Sequence, residues 1–328
     1  KGTGFMLVLG FQGSPRKKGN TSFLLQNFMQ ALEKLGAQTR IIEVAQKNIV
    51  PCREYVVCER KGYCPIDDDV KTEIYPLIRQ AEVVVLASPI FFFNMTAQLK
   101  AVVDRCQLFW ARKYKLKLAD PAKKTKRGFL LSVGASKGKS LFEGIELTAK
   151  YFFDAIGAGF EGSLTYREIE GPKDMAKHPE VMADIERAAA DFIRPLLGRK
   201  KILFACRENA CRSQMAGAFA QYLAGDKFEV ITGGSEPADQ VNPDMIKAMH
   251  EKGIDMAYRI PQSIESAISA TPPDFIVTMG CGEECTFVPG AKMRDWDLPD
   301  PAGKPPEFMR QVRDEIEDNV KNLIKELT

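Results

Sequence analysis

Short apolar runs recur along this chain with amphipathic stretches between them. In the first half they are FMLVLGF (5–11), TRIIEV (39–44), EVVVLAS (82–88) and GFLLSVG (128–134), with a shorter run near 162–167. Each is nearly continuous rather than alternating, the pattern of strands buried on both faces of a parallel sheet. Helical spacing of apolar positions falls between them, near 20–35, 68–80, 96–112 and 140–156, and again over 174–196. After GRKK (198–201) the alternation starts afresh. Strands are predicted at KILFA (201–205), FEVITG (228–233) and FIVTMG (275–280), and helices over 212–224, 242–252 and 305–327. Strand–helix alternation of this kind predicts an α/β protein with two doubly wound parallel sheets, in domains 1–198 and 199–328.

Composition narrows the class. The 328 residues are 45% hydrophobic and 27% charged, ordinary for globular domains and enough for two cores. No apolar run approaches the ~20 residues that span a bilayer. The opening KGTGFMLVLGFQGS is too short in its apolar part for a secretory signal, so a cytoplasmic location without membrane attachment is expected. Eight cysteines in such a chain suggest redox, nucleophilic or metal chemistry rather than a disulfide framework. The net charge of +3 divides into +8 over residues 1–198 and −5 over 199–328. The basic half suits an anionic cofactor. The basic stretch 112–127 lacks stacking aromatics and is read as a solvated loop, so no nucleic-acid partner is expected.

CRENACRS (206–213) lies between a predicted strand and a predicted helix. A cysteine there sits among backbone N–H groups and at the positive end of a helix dipole, which favour thiolate over thiol. Arg212 offers a bidentate fork to a tetrahedral oxyanion in the same loop, and Asn209 and Ser213 are suited to tie the loop together. VTMGCGEEC (277–285) places Cys281 and Cys285 in a glycine-containing loop after a strand. DWDLPDPAGK (295–304) carries Asp300, a carboxylate suited to general-acid work.

In this order the three motifs resemble the thioredoxin-coupled arsenate reductases, which share the low-molecular-weight tyrosine phosphatase fold. The resemblance implies that Cys206 attacks arsenate, that Arg212, Asn209 and Ser213 form the oxyanion loop, and that Asp300 is the acid. It further implies that Cys281 releases arsenite by forming a disulfide with Cys206, and that Cys285 moves the disulfide to Cys281–Cys285 for an external reductant such as thioredoxin. Glu208 departs from the phosphatase pattern, which has glycine there, and is expected to point outward. Cys211 is expected to pack. A tyrosine phosphatase fused to a flavoprotein, or an arsenite- or redox-sensing module, are the alternatives. Ala302 and Gly303 after Asp300-Pro301, in place of phosphotyrosine-slot aromatics, favour arsenate.

GSPRKKGNTSFLL (13–25) follows the first strand and opens the first helix. Its small and hydroxyl residues at a helix N-terminus make a phosphate cradle from Ser14, Arg16, Asn20, Thr21 and Ser22. SPIFFFNMTAQLK (88–100) and SVGASKGKSLFEG (132–144) follow later strands, at the end of the sheet where such folds bind ligands. Together they resemble the flavodoxin-like NADPH-dependent FMN reductases and related iron–sulfur flavoproteins. That implies FMN and NADPH, with the isoalloxazine against Pro89, Ile90, Phe91, Phe92 and Asn94 and beside Gly134, Ala135 and Ser136. Phe93 stands where relatives often have glycine. Partners of this family often complete the FMN pocket, which implies a homodimer through the flavin domain. PCREYVVCERKGYCPIDDD (51–69) looks like the family's cysteine-rich insertion, with Tyr55 where a fourth cysteine would sit beside Cys52, Cys58 and Cys64. Three cysteines are one short of a four-cysteine cluster site, so no metal is expected. His178 is read as a surface helix residue. The reading is a bifunctional redox enzyme in which the flavin domain is a possible electron source for the thiol site.

Overall fold

The computed structural model describes residues 6–269, 272–280 and 288–328. The chain forms two compact units, one of residues 3–117 and 126–195, the other of 118–125 and 196–328.

The first unit is a five-stranded parallel sheet of order β2-β1-β3-β4-β5. Its strands are β1 (Leu7–Gln12), β2 (Gln38–Glu43), β3 (Val83–Pro89), β4 (Arg127–Val133) and β5 (Gly159–Tyr166). β1, β3 and β4 are buried almost throughout, as their unbroken apolar runs require. The helices are α1 (Asn20–Lys34), the short α2 (Val57–Lys61), α3 (Tyr75–Gln80), α4 (Ala97–Arg105), α5 (Gln107–Tyr114), α6 (Glu143–Ala155), the short α7 (Asp174–Lys177) and α8 (Val181–Ile193). The helix expected over 96–112 divides at Cys106, and that over 174–196 divides before Val181. The order reverses direction at β1/β3, so the loops after β1, β3 and β4 meet at one end of the sheet.

The second unit has a four-stranded parallel sheet, β7-β6-β8-β9. It comprises β6 (Lys200–Cys206), α9 (Arg212–Ala224), β7 (Phe228–Gly234), α10 (Pro243–Glu251), the short α11 (Ile264–Ile268), β8 (Phe275–Thr278), β9 (Lys292–Asp295) and α12 (Pro306–Leu327). One core joins Phe204 of β6, Met215 and Phe219 of α9, Met249 of α10 and Ile316 of α12. The stretch read as a solvated loop is partly built in here: Ala119 exchanges backbone bonds with Gly253 and Asp255, both 2.8 Å, and Leu118 and Asp120 are buried. Its backbone extends a pairing that no side-chain pattern announces.

Outside the core, α10 and α12 are joined by charge. Arg310 donates to both Glu251 oxygens (2.8–3.0 Å), and Arg313 donates to Glu251 Oε2 (2.8 Å) and both oxygens of Asp314. Hydrogen bonds from Arg310 and Arg313 hold Glu251 down to about 2 from its ordinary 4.5. Arg313, then Lys252, does the same for Asp314, down to about 2 from 3.8. Folded values below unfolded ones mean that the stability contributed is present above the unfolded values and lost as pH falls toward the folded ones. The thermal midpoint of the second unit is expected to drop between about pH 5 and about pH 2, and Glu251→Gln to flatten that slope; circular dichroism melts across the range check it.

Candidate functional site

Cys206 ends β6, the strand with β7 on one side and β8 on the other, at the carboxyl edge where the sheet order reverses. The loop after it is drawn outward by its carbonyls. Those of Arg207, Glu208 and Ala210 accept from the N–H groups of Glu236 (2.8 Å), Ala238 (3.0 Å) and Asn242 (2.9 Å). In a trans peptide the N–H opposes the C=O. The N–H groups of Glu208, Asn209 and Cys211 therefore lie on the side of their peptides away from these partners, in the loop that leads into α9. A loop of this kind before a helix N-terminus suits an oxyanion.

Within it the side chains are buried and linked. Cys206 is 3% exposed, and Asn209 and Ser213 are fully buried. Asn209 takes a left-handed conformation (φ 49°), which asparagine tolerates better than most residues. Its Nδ2 donates to Ser213 Oγ (2.8 Å), and Ser213 Oγ lies 3.0 Å from Cys206 Sγ. The serine hydroxyl thus accepts from Asn209 and stands within hydrogen-bond reach of the sulfur, where either the hydroxyl or the thiol can donate. Asn209 Oδ1 in turn accepts from Gln214 Nε2 (3.1 Å) and the Gln262 backbone N–H (3.0 Å). Gln214 and Gln262 were not singled out in the sequence. A glutamine two residues past the C–R motif was the only local signal, and Gln262 is 53 residues from its partner.

Arg212, the first residue of α9, is buried and donates from Nη1 to the Leu298 carbonyl (2.9 Å), and its Nη2 lies 3.7 Å from Asp300 Oδ2. Gly280 has φ 67°, where a side chain would be strained, and a Cβ there would stand 2.6 Å from Arg212 Nη1 and displace the guanidinium. Asp300 is exposed and Ala302 N–H donates to its Oδ1 (3.1 Å). Glu208 is exposed. Cys211 packs instead, with Sγ 3.6 Å from Met309 Sδ, and burial followed by the Cys206 charge pushes its thiol well above the usual range. Cys281 and Cys285 lie outside the described residues.

In the first unit three loops are pinned at the carboxyl ends of the strands. Thr96 Oγ1 donates to the Gly13 carbonyl (2.6 Å), Ser132 Oγ to that of Ser88 (2.8 Å), and Ile90 N–H to that of Val133 (2.9 Å). Ser14 in the loop after β1, and Thr21 and Ser22 at the start of α1, are buried, while Arg16 is exposed. Asn20 is turned elsewhere: Nδ2 donates to Gly171 O (2.9 Å) and Oδ1 accepts from Met175 N (3.2 Å). Phe91 and Asn94 exchange backbone bonds around a tight turn whose middle residues, Phe92 and Phe93, both have positive φ. The left-handed Phe93 is where a glycine would be at ease. Phe91, Phe92 and Phe93 are exposed, Phe92 completely. Pro89 and Ile90 are half-buried, and Asn94 Nδ2 donates to Thr148 Oγ1 (3.0 Å). Gly134 is buried, and Ala135 and Ser136 are exposed.

These residues fit a flavin phosphate. The first turn of α1 carries no acidic residue and no side-chain cap, which leaves the helix N-terminus to an anion. Gln12, 4% exposed, accepts weakly from Ser14 N–H (3.5 Å) through Oε1, so its head stands at this loop. Its buried Nε2 has no partner among the described residues. A buried donor left over at this loop is one that an anion's oxygen can take. The cysteine-rich segment does not fit an iron–sulfur cluster. It holds three cysteines, and among the described residues no three Cys, His, Asp or Glu side chains converge on one point.

Comparison with known proteins finds a family match in each half of the chain. Residues 6–142 match the NADPH-dependent FMN reductase family and residues 201–328 the low-molecular-weight phosphotyrosine protein phosphatase family. A glutaredoxin arsenate reductase of Synechocystis sp. is 36% identical over 132 residues, 39% of this chain and 99% of that protein. Arsenate reductase 2 of Staphylococcus haemolyticus is 38% identical over 131 residues, 39% of this chain and 98% of that protein. An iron–sulfur flavoprotein of Methanocaldococcus jannaschii is 40% identical over 100 residues, 30% of this chain and 51% of that protein, so the chain spans about half that relative's length. Among the described residues no helix is long and apolar enough to cross a membrane. The cradle around Cys206 and the phosphate loop after β1 thus stand in two families: the chain joins an NADPH-dependent FMN reductase domain to a domain of the arsenate reductase branch of the low-molecular-weight phosphatase fold.

Proposed function

We propose that the chain is a two-domain redox enzyme that reduces arsenate to arsenite. The observation that carries this reading is the buried line Asn209–Ser213–Cys206 inside a loop whose N–H groups and Arg212 suit a tetrahedral oxyanion. The Cys206 thiolate forms a bond to As(V), and an arsenate oxygen leaves as water with a proton from Asp300. Cys281 then attacks the Cys206 sulfur. The electron pair of the S–As bond stays on arsenic, which departs as arsenite, and Cys285 takes over the disulfide. Arg212, parked on the Leu298 carbonyl, turns its fork to the bound anion.

The amino-terminal domain is read as an NAD(P)H-dependent FMN oxidoreductase and as the electron source for the disulfide, in place of thioredoxin or a similar reductant. Ser14, Thr21, Ser22 and Gln12 would hold the phosphate of FMN, and the backbone around Pro89–Asn94 and Gly134 would face its ring. When bound, FMN supplies hydride acceptance from a nicotinamide and two-electron donation. A homodimer through this domain is supported by a groove of about 620 Å³ lined by Trp110, Leu147 and Tyr151, of which Leu147 and Tyr151 are exposed. The location is read as cytoplasmic.

The test is NADPH oxidation by FMN-loaded protein with arsenate, alone and then with thioredoxin and its reductase. Arsenate-dependent oxidation by the protein alone is expected. Turnover only with thioredoxin would leave arsenate reduction standing and overturn the internal electron path. Hydrolysis of a phosphotyrosine analogue that survives loss of Cys281, without arsenate turnover, would overturn the reading in favour of a phosphatase.

A further inference from the structure

Behind the nucleophile loop, the hydrogen bonds of Ser213 continue away from the sulfur and end on a cation. Ser213 Oγ, 3.0 Å from Cys206 Sγ, accepts from Asn209 Nδ2 (2.8 Å). Asn209 Oδ1 accepts from Gln214 Nε2 (3.1 Å), and Gln214 Oε1 accepts from Arg259 Nη1 (3.4 Å). Arg259 Nη2 donates to Gln221 Oε1. Cys206, Asn209, Ser213 and Gln214 are buried and Arg259 is half-buried, so the line runs from the base of the loop toward solvent.

Two elements deliver the arginine. Gln214, Gly217 and Gln221 are three and four residues apart, on one face of α9. The glycine leaves room for the guanidinium between the two glutamines. A Cβ there would stand 2.4 Å from Thr232 Cγ2 and 3.9 Å from Arg259 Nη1, so a longer side chain would contest the same space. Tyr258, just before Arg259, has φ 64°, in the left-handed region where a non-glycine residue is strained. The same segment brings the Gln262 N–H to Asn209 Oδ1 (3.0 Å). It is tied to β7 by Gln262 Nε2, which donates to the Thr232 carbonyl, and by the Gly234 N–H, which donates to the Gln262 carbonyl, both at 2.9 Å.

Donor chemistry gives this line one direction. A backbone N–H only donates, so the Asn209 atom that meets Gln262 is oxygen, and the amide nitrogen is left for Ser213. A guanidinium also only donates, so the Gln214 atom that meets Arg259 is oxygen, and its nitrogen is turned to Asn209. A thiolate at Cys206 has no proton to give, so toward it the Ser213 hydroxyl is the donor. Hydrogen bonds aligned in this way polarise one another in a buried site, with the positive end on Arg259 and the negative end at the sulfur. We propose that Arg259 is a positioning residue for the Cys206 nucleophile, acting through Gln214 and Asn209 to turn the Ser213 hydroxyl toward the sulfur. The inference rests on the reading of Cys206 as the attacking group. No bond is made or broken along the line, which sets only the way its hydrogens point.

The test is the rate at which iodoacetamide alkylates Cys206 at neutral pH in the reduced full chain. Mass spectrometry of the peptide that carries Cys206 keeps the other cysteines out of the reading. Arg259→Met is expected to slow alkylation by about 10-fold, the scale on which members of one hydrogen-bond network couple. Arg259→Lys keeps a cation that only donates and is expected to recover most of the rate. In a Ser213→Ala chain, which lacks the hydroxyl, Arg259→Met is expected to change nothing further. Gln214→Met, which breaks the line one step nearer the sulfur, is expected to slow Cys206 as Arg259→Met does. A parental rate in Arg259→Met or in Gln214→Met overturns the proposal. So does a Lys variant as slow as the Met variant, or a further fall of the same size in the Ser213→Ala chain. Arsenate turnover of the parent is measured alongside. The expected alkylation pattern in a protein that does not reduce arsenate keeps the positioning role and sinks the reductase reading. Arsenate turnover with alkylation indifferent to Arg259 sinks the positioning role alone.

Discussion

Cys206→Ser is expected to lower arsenate turnover by about 10,000-fold or more, because the nucleophile and the groups around it act as one unit. The serine would still accept from Asn209's neighbour Ser213, but an alcohol under that loop is not ionised at neutral pH. Cys211→Ala is expected to leave the rate unchanged, although it lies only five residues away. Cys211 is buried against Met309 and its thiol is pushed well up by burial and by the Cys206 charge, so it stays protonated and out of the loop's centre. The check is arsenite formed in a single turnover by each variant in its reduced state. Residual activity in Cys206→Ser near that of the parent, or loss of activity in Cys211→Ala with folding intact, would mean that the wrong sulfur has been named.

The second large effect is on stability. Arg105→Met is expected to destabilise the first unit by about 3–5 kcal/mol, because it leaves the Asp68 carboxylate buried without its partner. Both side chains of the pair are wholly buried. Burial pushes the Asp68 carboxyl up, but the Arg105 hydrogen bond, backbone N–H bonds and the Arg105 charge outweigh it and hold the group below its ordinary range. Arg105→Met with Asp68→Leu is expected to recover much of the loss, since the cost is that of an unpaired charge rather than the net worth of the pair. The chain has two tryptophans, Trp110 in the first unit and Trp296 in the second. In a Trp296→Phe background, urea unfolding followed by fluorescence therefore reports the first unit. An Arg105→Met midpoint equal to the parent's would show that the pair contributes nothing.

The sheet strands that carry the sites were legible because each is buried on both faces, which forces unbroken apolar runs such as LVLGF and KILFA. Cys206, Arg212, Asn209 and Ser213 were legible for a related reason: an oxyanion loop is local, so its chemistry lies within eight consecutive residues. What escaped is what lacks either property. β9, KMRD (292–295), is exposed at all four positions and owes its place to backbone pairing with β8, so no side-chain pattern marks it. Ala119 and its neighbours join the second unit through backbone bonds to Gly253 and Asp255, more than a hundred residues away.

The sequence by itself therefore determined two doubly wound sheets and marked two loops, 206–213 and 13–25, as candidate sites, because periodic burial and short-range motifs leave their mark in residue order. Only the tertiary structure decided that Gln214 and Gln262 hold Asn209, that Gln12 Nε2 is buried beside the loop after β1 with no partner among the described residues, and that Arg105 joins Val50 to Asp68. Each of these is a hydrogen bond, or the want of one, settled where the chain folds back on itself. Such contacts follow from three-dimensional closeness and have no period along the chain to betray them.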